Sequence, residues 1–203
     1  MGKKNKFVLL LAMALAMLMS ACQAQSGKDQ DDSSGIKVIA VESFLADIAQ
    51  NVAGDRLMVE TLMPEGLDPH SFEPTPQDVA KISDSDLLFV TGAGFEAWLE
   101  DIVENLPPDQ LVVEESAGLK SRTIEEGHAE DDGHEHEIDP HFWLDPNLVI
   151  TYVENIRVGL TTIDPEGAAV YEANAETYIQ QLKDLDEYIQ EEIAAIPVER
   201  RMI

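Results

Sequence analysis

IKVIAVESFLADIAQNVAG occupies residues 36–54. Its first half, IKVIAVES, is rich in β-branched residues and predicts a strand. From Phe44 onward the apolar residues Leu45, Ile48 and Val52 recur at helical spacing, and Gly54 supplies a stop. The pattern then repeats. RLMVETLMP (56–64), DLLFVTGAG (86–94) and QLVVEES (110–116) read as three further strands. Thr75 followed by Pro76 marks a helix start, a capping residue and then a first-turn proline, and that helix runs through QDVAKISDS. FEAWLEDIVENL (95–106) predicts another helix, stopped by Pro107 and Pro108. Strands alternating with helices imply right-handed crossovers and a parallel sheet, an α/β fold with flanking helices. Ligands of such sheets bind in the loops at the carboxyl ends of the strands.

The remainder predicts helix. One helix spans Asn147 to about Thr162. Asp164 is expected to cap another, with Pro165 in its first turn. Tyr171, Ala175, Tyr178, Leu182, Leu185, Ile189, Ile193 and Ile196 form an amphipathic stripe along it. This helix would run about 30 residues, or roughly 45 Å at 1.5 Å per residue. The stripe reads as packing surface rather than a cofactor site. VERRMI (198–203) reads as the start of a strand.

The 203 residues carry a formal charge of −27 and are 44% hydrophobic. That is enough apolar content for a core, so global disorder is excluded. The acidity argues against nucleic acid, whose phosphates would be repelled, and is compatible with attracting cations. The N-terminus has its own logic. MGKKNK is basic, FVLLLAMALAMLM is a 13-residue apolar run, and small residues then lead to Cys22. This is a secretory signal pattern, too short to be a comfortable membrane span. Cys22 is the only cysteine, so no intrachain disulfide can form. MSAC (19–22) resembles a bacterial lipobox with Met19 where Leu is usual, which implies that Cys22 is lipidated. Residues 23–35, QAQSGKDQDDSSG, read as a flexible tether.

The histidines are placed unevenly. GHAEDDGHEHEIDPHFWLDP (127–146) holds four of the five, and His70 lies upstream in EGLDPHSFEP (65–74). His70 and His141 both follow Asp-Pro. The proline stiffens each loop, so each tripeptide presents an imidazole from a restricted backbone. His70 follows the second strand and His141 follows the fourth, so both are expected at one sheet edge. Imidazole is the commonest neutral nitrogen ligand for zinc and its neighbours. Asp68 and Asp139 are candidates to orient the rings, and Glu73 is a candidate stray carboxylate. His128, His134 and His136 differ: residues 125–139 hold eight carboxylates and no basic side chain. That segment suits weak collection of divalent cations without preformed geometry.

DPHSFEPTPQD and DPHFWLDP, with a lipobox before them and a long helix behind, resemble the zinc/manganese substrate-binding lipoproteins of ABC importers. This family includes the streptococcal adhesin-like lipoproteins. The resemblance covers about residues 36 to 203. It implies two α/β lobes joined by one long rigid helix, with the metal held between lobes and ligated directly by His70 and His141. A His-rich acidic loop before the second motif is typical of zinc members, which favours Zn(II) over Mn(II). It also implies an ABC importer permease as partner and a lipid-anchored place on the extracytoplasmic face of a bacterial envelope, or in the periplasm.

On this reading residues 1–21 are a signal peptide and 22–35 the lipidated cysteine and tether. Residues 36–146 form the metal-binding lobe, with the His/acid-rich loop at 120–140, and 147–163 form a helix. Residues 164–196 are the connecting helix, and 197–203 begin a second lobe that the chain otherwise lacks. The family's two remaining ligands belong to that lobe and have no counterpart here. Three rival functions are weighed. A zinc hydrolase needs a general base and an open coordination position; neither HExxH nor a nucleophile elbow is present. A surface adhesin is compatible with the tether and the acidic surface, but nothing encodes it. A truncated product with impaired metal binding is the third.

Overall fold

β1 (Val38–Ala40) lies between β2 (Val59–Thr61) and β3 (Leu87–Val90), and β4 (Leu111–Glu114) follows on the far side of β3. All three pairings are parallel, with Val38 opposite both Val59 and Leu87, and Leu87 opposite Leu111. The computed structural model describes residues 35–120 and 139–201, all in one compact unit. β3 is buried along its whole length, as a central parallel strand must be.

Alternate strand residues feed two cores. Val38, Ala40, Leu87 and Phe89 face α1 (Ser43–Ala53), α4 (Pro146–Ile163) and α5 (Ala168–Ala195). Ile39, Val41, Leu88 and Val90 face the side carrying Ile82 of α2 (Pro76–Ser83) and Ile102 of the short α3 (Glu100–Val103). The local signals explain the ends. Thr75 and Asp78 form a reciprocal capping box, which satisfies two orphan donors of α2. Gly54 ends α1 at φ 61°. Gln50 then spans the turn, donating to Gly54 O (2.7 Å) and Leu57 O (3.0 Å) and accepting from Val59 N (2.9 Å). At Gly159 a Cβ would come within 3.1 Å of Val113 and 3.2 Å of Phe89, so glycine lets α4 press against the sheet.

Three sequence expectations need correction. The helix expected over 95–106 shrinks to a 3-10 turn at Ala97–Leu99 and one turn of α3. The buried Glu96 side chain bonds backward to Thr91 N and Gly92 N, which winds residues 91–96 into a turn. Residues 198–200 form a 3-10 turn instead of a strand. Asp164 caps nothing with its side chain. Its carboxylate instead takes Nε and Nη2 of Arg56 and the hydroxyl of Tyr171 (2.5 Å). A 3-10 turn at Pro165–Gly167 intervenes before α5.

α5 has 28 residues, about 42 Å at 1.5 Å per residue. Tyr171, Ala175 and Leu182 of the stripe are buried. Leu185, Ile193 and Ile196 are 46%, 49% and 43% exposed, so the packed part of the stripe ends after about four turns. Arg56 holds the Asp164 carboxyl below the usual carboxylate range, with a further lowering contribution from the Tyr171 hydroxyl. This junction therefore contributes stability above the unfolded carboxylate pKa of about 3.9 and loses it as pH falls through the lower folded value. Tyr171→Phe removes one buried hydrogen bond and is expected to cost about 1 kcal/mol, read as a lower urea midpoint at unchanged slope.

Candidate metal-binding cleft

Both Asp-Pro-His loops reach the carboxyl edge of the sheet. His70 lies in a 3-10 turn (Pro69–Ser71) after β2, and His141 directly precedes another (Phe142–Leu144) that leads into α4. Their ring centroids are 6.0 Å apart. The 71-residue separation is closed by topology: β1 and β3 lie side by side, while the chain leaves β1 toward β2 and returns to β3 on its other flank. That reversal of strand order opens a crevice at the carboxyl edge.

The two aspartates act differently. Asp139 accepts from His141 Nδ1 at 2.8 Å and from His141 N at 3.1 Å. A carboxylate can only accept, so in the neutral ring Nδ1 carries the proton and Nε2 offers its lone pair. Asp68 takes the His70 backbone N–H (3.0 Å) and the Ser71 hydroxyl (3.1 Å), so it caps the turn and shapes the loop. Phe95 packs edge-on against both imidazoles, with centroids at 4.8 Å from His70 and 5.8 Å from His141. Trp143 stands 5.1 Å from His141 and stacks on Phe44 at 4.4 Å.

The cleft holds about 350 Å³ and is lined by both histidines, Phe44, Phe95, Trp143 and Glu42 among others. Glu73 is exposed and is not among the lining residues; the carboxylate of the cleft is Glu42. Among the described residues no group of three or more His, Cys, Asp or Glu has metal-holding geometry, so this face offers two imidazoles. His128, His134, His136 and Cys22 lie outside the described residues.

Sequence reasoning missed the acids behind the cleft. Glu42, Glu96 and Glu115 follow β1, β3 and β4 and are all buried. Thr91 Oγ1 donates to Glu42 Oε2 at 3.3 Å, while Thr91 N and Gly92 N donate to Glu96 at 2.6 and 3.2 Å. Glu42 Oε1, both Glu115 oxygens and the Tyr152 hydroxyl meet no hydrogen-bond partner among the described residues. Burial, reinforced by neighbouring Glu96, pushes Glu42 up to about 9. Burial also raises Glu115, with Glu42 and Glu96 adding to it, and raises Glu96 against two backbone N–H donors that favour its charged form. Glu42 is therefore the member of the pair that keeps the proton. The only signal in the sequence was three carboxylates just beyond three strands, and spacing cannot tell a buried acid from a solvated one.

The comparisons with known proteins bear on this geometry. The family model described as zinc-uptake complex component A, periplasmic, matches residues 38–203. The chain belongs to this family. The manganese-binding lipoprotein MntA of Halalkalibacterium halodurans is 40% identical over 94% of this chain and 61% of its own length. The Mn-bound periplasmic metal binding protein of Candidatus Liberibacter asiaticus superposes with a TM-score of 0.72 at 30% identity, covering 82% of this chain and 60% of that one. Zn(II)-bound AdcA of Streptococcus pneumoniae gives 0.65 at 30% identity, covering 75% of this chain and 32% of that one. The chain thus spans about 60% of the length of the first two of these similar proteins.

The buried acids make a pH prediction. Between the unfolded glutamate pKa of about 4.3 and the folded value of about 9, the folded state binds more protons at Glu42 than the unfolded state does. Stability contributed by this site therefore falls as pH rises through that window. Glu42→Gln should flatten the decline, measured as unfolding midpoints from about pH 5 to pH 9.

Proposed function

We propose that the chain captures a divalent transition-metal cation outside the cytoplasm and passes it to the permease of an ABC importer, binding its cargo without transforming it. The observation that carries this reading is the convergence of two Asp-Pro-His imidazoles, 6.0 Å apart, on one sheet edge. Zn(II) is the proposed cargo. Neutral imidazole nitrogen suits it, and its sites use three or four protein donors. The zinc-uptake family model and the zinc-bound pneumococcal relative support this choice. Mn(II) is the second reading, favoured by the manganese named in the Halalkalibacterium and Liberibacter relatives.

Two imidazoles are half of a tetrahedral donor set. The other donors are proposed to come from sequence that the longer family members have, across from this face. His128, His134 and His136 then serve as accessory collectors that feed the cleft. Lipidated Cys22 and the 23–35 tether hold the assembly at the membrane, beside the permease.

Calorimetric titration with Zn(II), and with Mn(II) as competitor, tests the site. The chain alone should bind weakly, and a version extended to the relatives' length should gain orders of magnitude. His70→Ala or His141→Ala should reverse most of that gain, and Asp139→Asn should cost about tenfold. Nanomolar zinc binding that survives both histidine substitutions would overturn the proposed site. For the anchor, Cys22→Ala is expected to move the protein from the membrane fraction to the soluble one; unchanged membrane association would refute lipidation.

A further inference from the structure

The loop that carries His70 has little to hold it. Residues 64–68 and His70 are exposed, and β2 is an edge strand. The backbone and side-chain bonds of Asp68, His70 and Ser71 close the loop on itself. Local bonds shape a turn but do not fix its place in the molecule. A metal site needs that place fixed, because the donor atoms must fall within a few tenths of an ångström of the ion.

The tie to the body comes from the turn after β3. Trp98 Nε1 donates to Pro69 O at 3.1 Å, one residue before His70. The Trp98 ring also meets Phe72 edge-on at 5.0 Å, two residues after it. Phe95 covers the imidazole itself at 4.8 Å. So the main chain before His70, the ring of His70 and the side chain after it all rest on residues 95–98.

This turn has an unusual backbone. Gly92, Ala93 and Gly94 are left-handed in succession, at φ 78°, 54° and 76°. Alanine is disfavoured there, so the surroundings must impose the conformation. Glu96 imposes it: its two carboxylate oxygens take the N–H groups of Thr91 and Gly92 from inside the turn. Packing closes the other side, since a Cβ on Gly92 would fall 3.1 Å from Glu114 and Ser116 beside β4. The turn is thus tied both to itself and to the neighbouring strand.

Resting on the cation-capture reading above, we propose that Trp98 and Glu96 are positioning residues for that capture. Glu96 fixes the turn, and Trp98 transfers its rigidity to the His70 loop. Neither touches the cation. The Trp98 bond serves one ligand: among the described residues it reaches only the His70 loop, while the His141 ring is oriented by Asp139.

Trp98→Phe is the informative variant. It keeps an aromatic ring facing Phe72 while removing the N–H donor together with part of the indole. Zinc affinity of the chain is expected to fall about tenfold, as when other groups that orient metal ligands are removed, with the thermal midpoint little changed. The loss should disappear in a His70→Ala background, a coupling that general loss of structure would not produce. A second measurement needs no metal. In side-chain NMR of the metal-free chain, Trp98→Phe should shift the His70 imidazole resonances and leave those of His141 in place. Glu96→Gln, which keeps the shape but offers one acceptor oxygen for two N–H groups, should also shift the His70 resonances, and through Phe95, which touches both rings, those of His141 as well. Wild-type zinc affinity in Trp98→Phe, an undiminished loss in the His70→Ala background, or unmoved His70 resonances would each overturn the proposal. If neither histidine substitution alters zinc binding, the capture reading itself fails, and the NMR shifts still decide whether Trp98 positions the loop.

Discussion

Parallel pairing of β1 with both of its neighbours is the constraint from which the rest follows. A parallel strand cannot be reached by a tight hairpin, so each connection must travel back over a face of the sheet. All four strands therefore release their following loops at the same edge. Glu42, the His70 loop, the Gly92–Trp98 turn and Glu115 are neighbours for this reason alone, although they are spread over more than seventy residues of sequence. The same pairing buries β3 on both sides and leaves β2 at the margin. The two halves of the cleft consequently differ in support. The His141 side is built on a long packed helix, whereas the His70 side hangs from an edge strand and needs help from the centre.

That help is costly to the fold. Taking three carboxyl groups out of water is unfavourable unless they are neutral or well hydrogen-bonded. Here one is served by two backbone N–H groups, one by a threonine hydroxyl, and one by no described partner. A core of apolar side chains at these positions would be expected to be more stable. The three act on one another electrostatically, and one of them, Glu42, lines the cleft with both imidazoles.

Much of this was legible in the residues. β-branched runs, the Thr75–Pro76 helix start and the Asp-Pro-His repeats each carry a local physical signal, and each appears in the structure where that signal placed it. Two of the failures share one cause, which is a side chain drawn away from the role its position suggests. FEAWLEDIVENL has the composition of a helix, yet Glu96 is drawn inward by Thr91 and Gly92 and most of the helix is lost. Asp164 has the position of a cap, yet Arg56, 108 residues earlier, claims its carboxylate. Glu73 and Glu42 are equivalent in composition, and only the assembled sheet reveals that Glu42 faces the cleft.

The clasp formed by Arg56, Asp164 and Tyr171 has a mechanical meaning. It fastens α5 at its first turn, and burial fades beyond Leu182. The first four turns of the helix are thus held against the body, and among the described residues the later part of its stripe is largely exposed. With a length of about 42 Å, a tilt of only a few degrees at the root carries the tip through several ångström. Small rearrangements at the root would thus be magnified at the far end, and a load applied to the tip would be shared between the clasp and the packed residues Ala175 and Leu182.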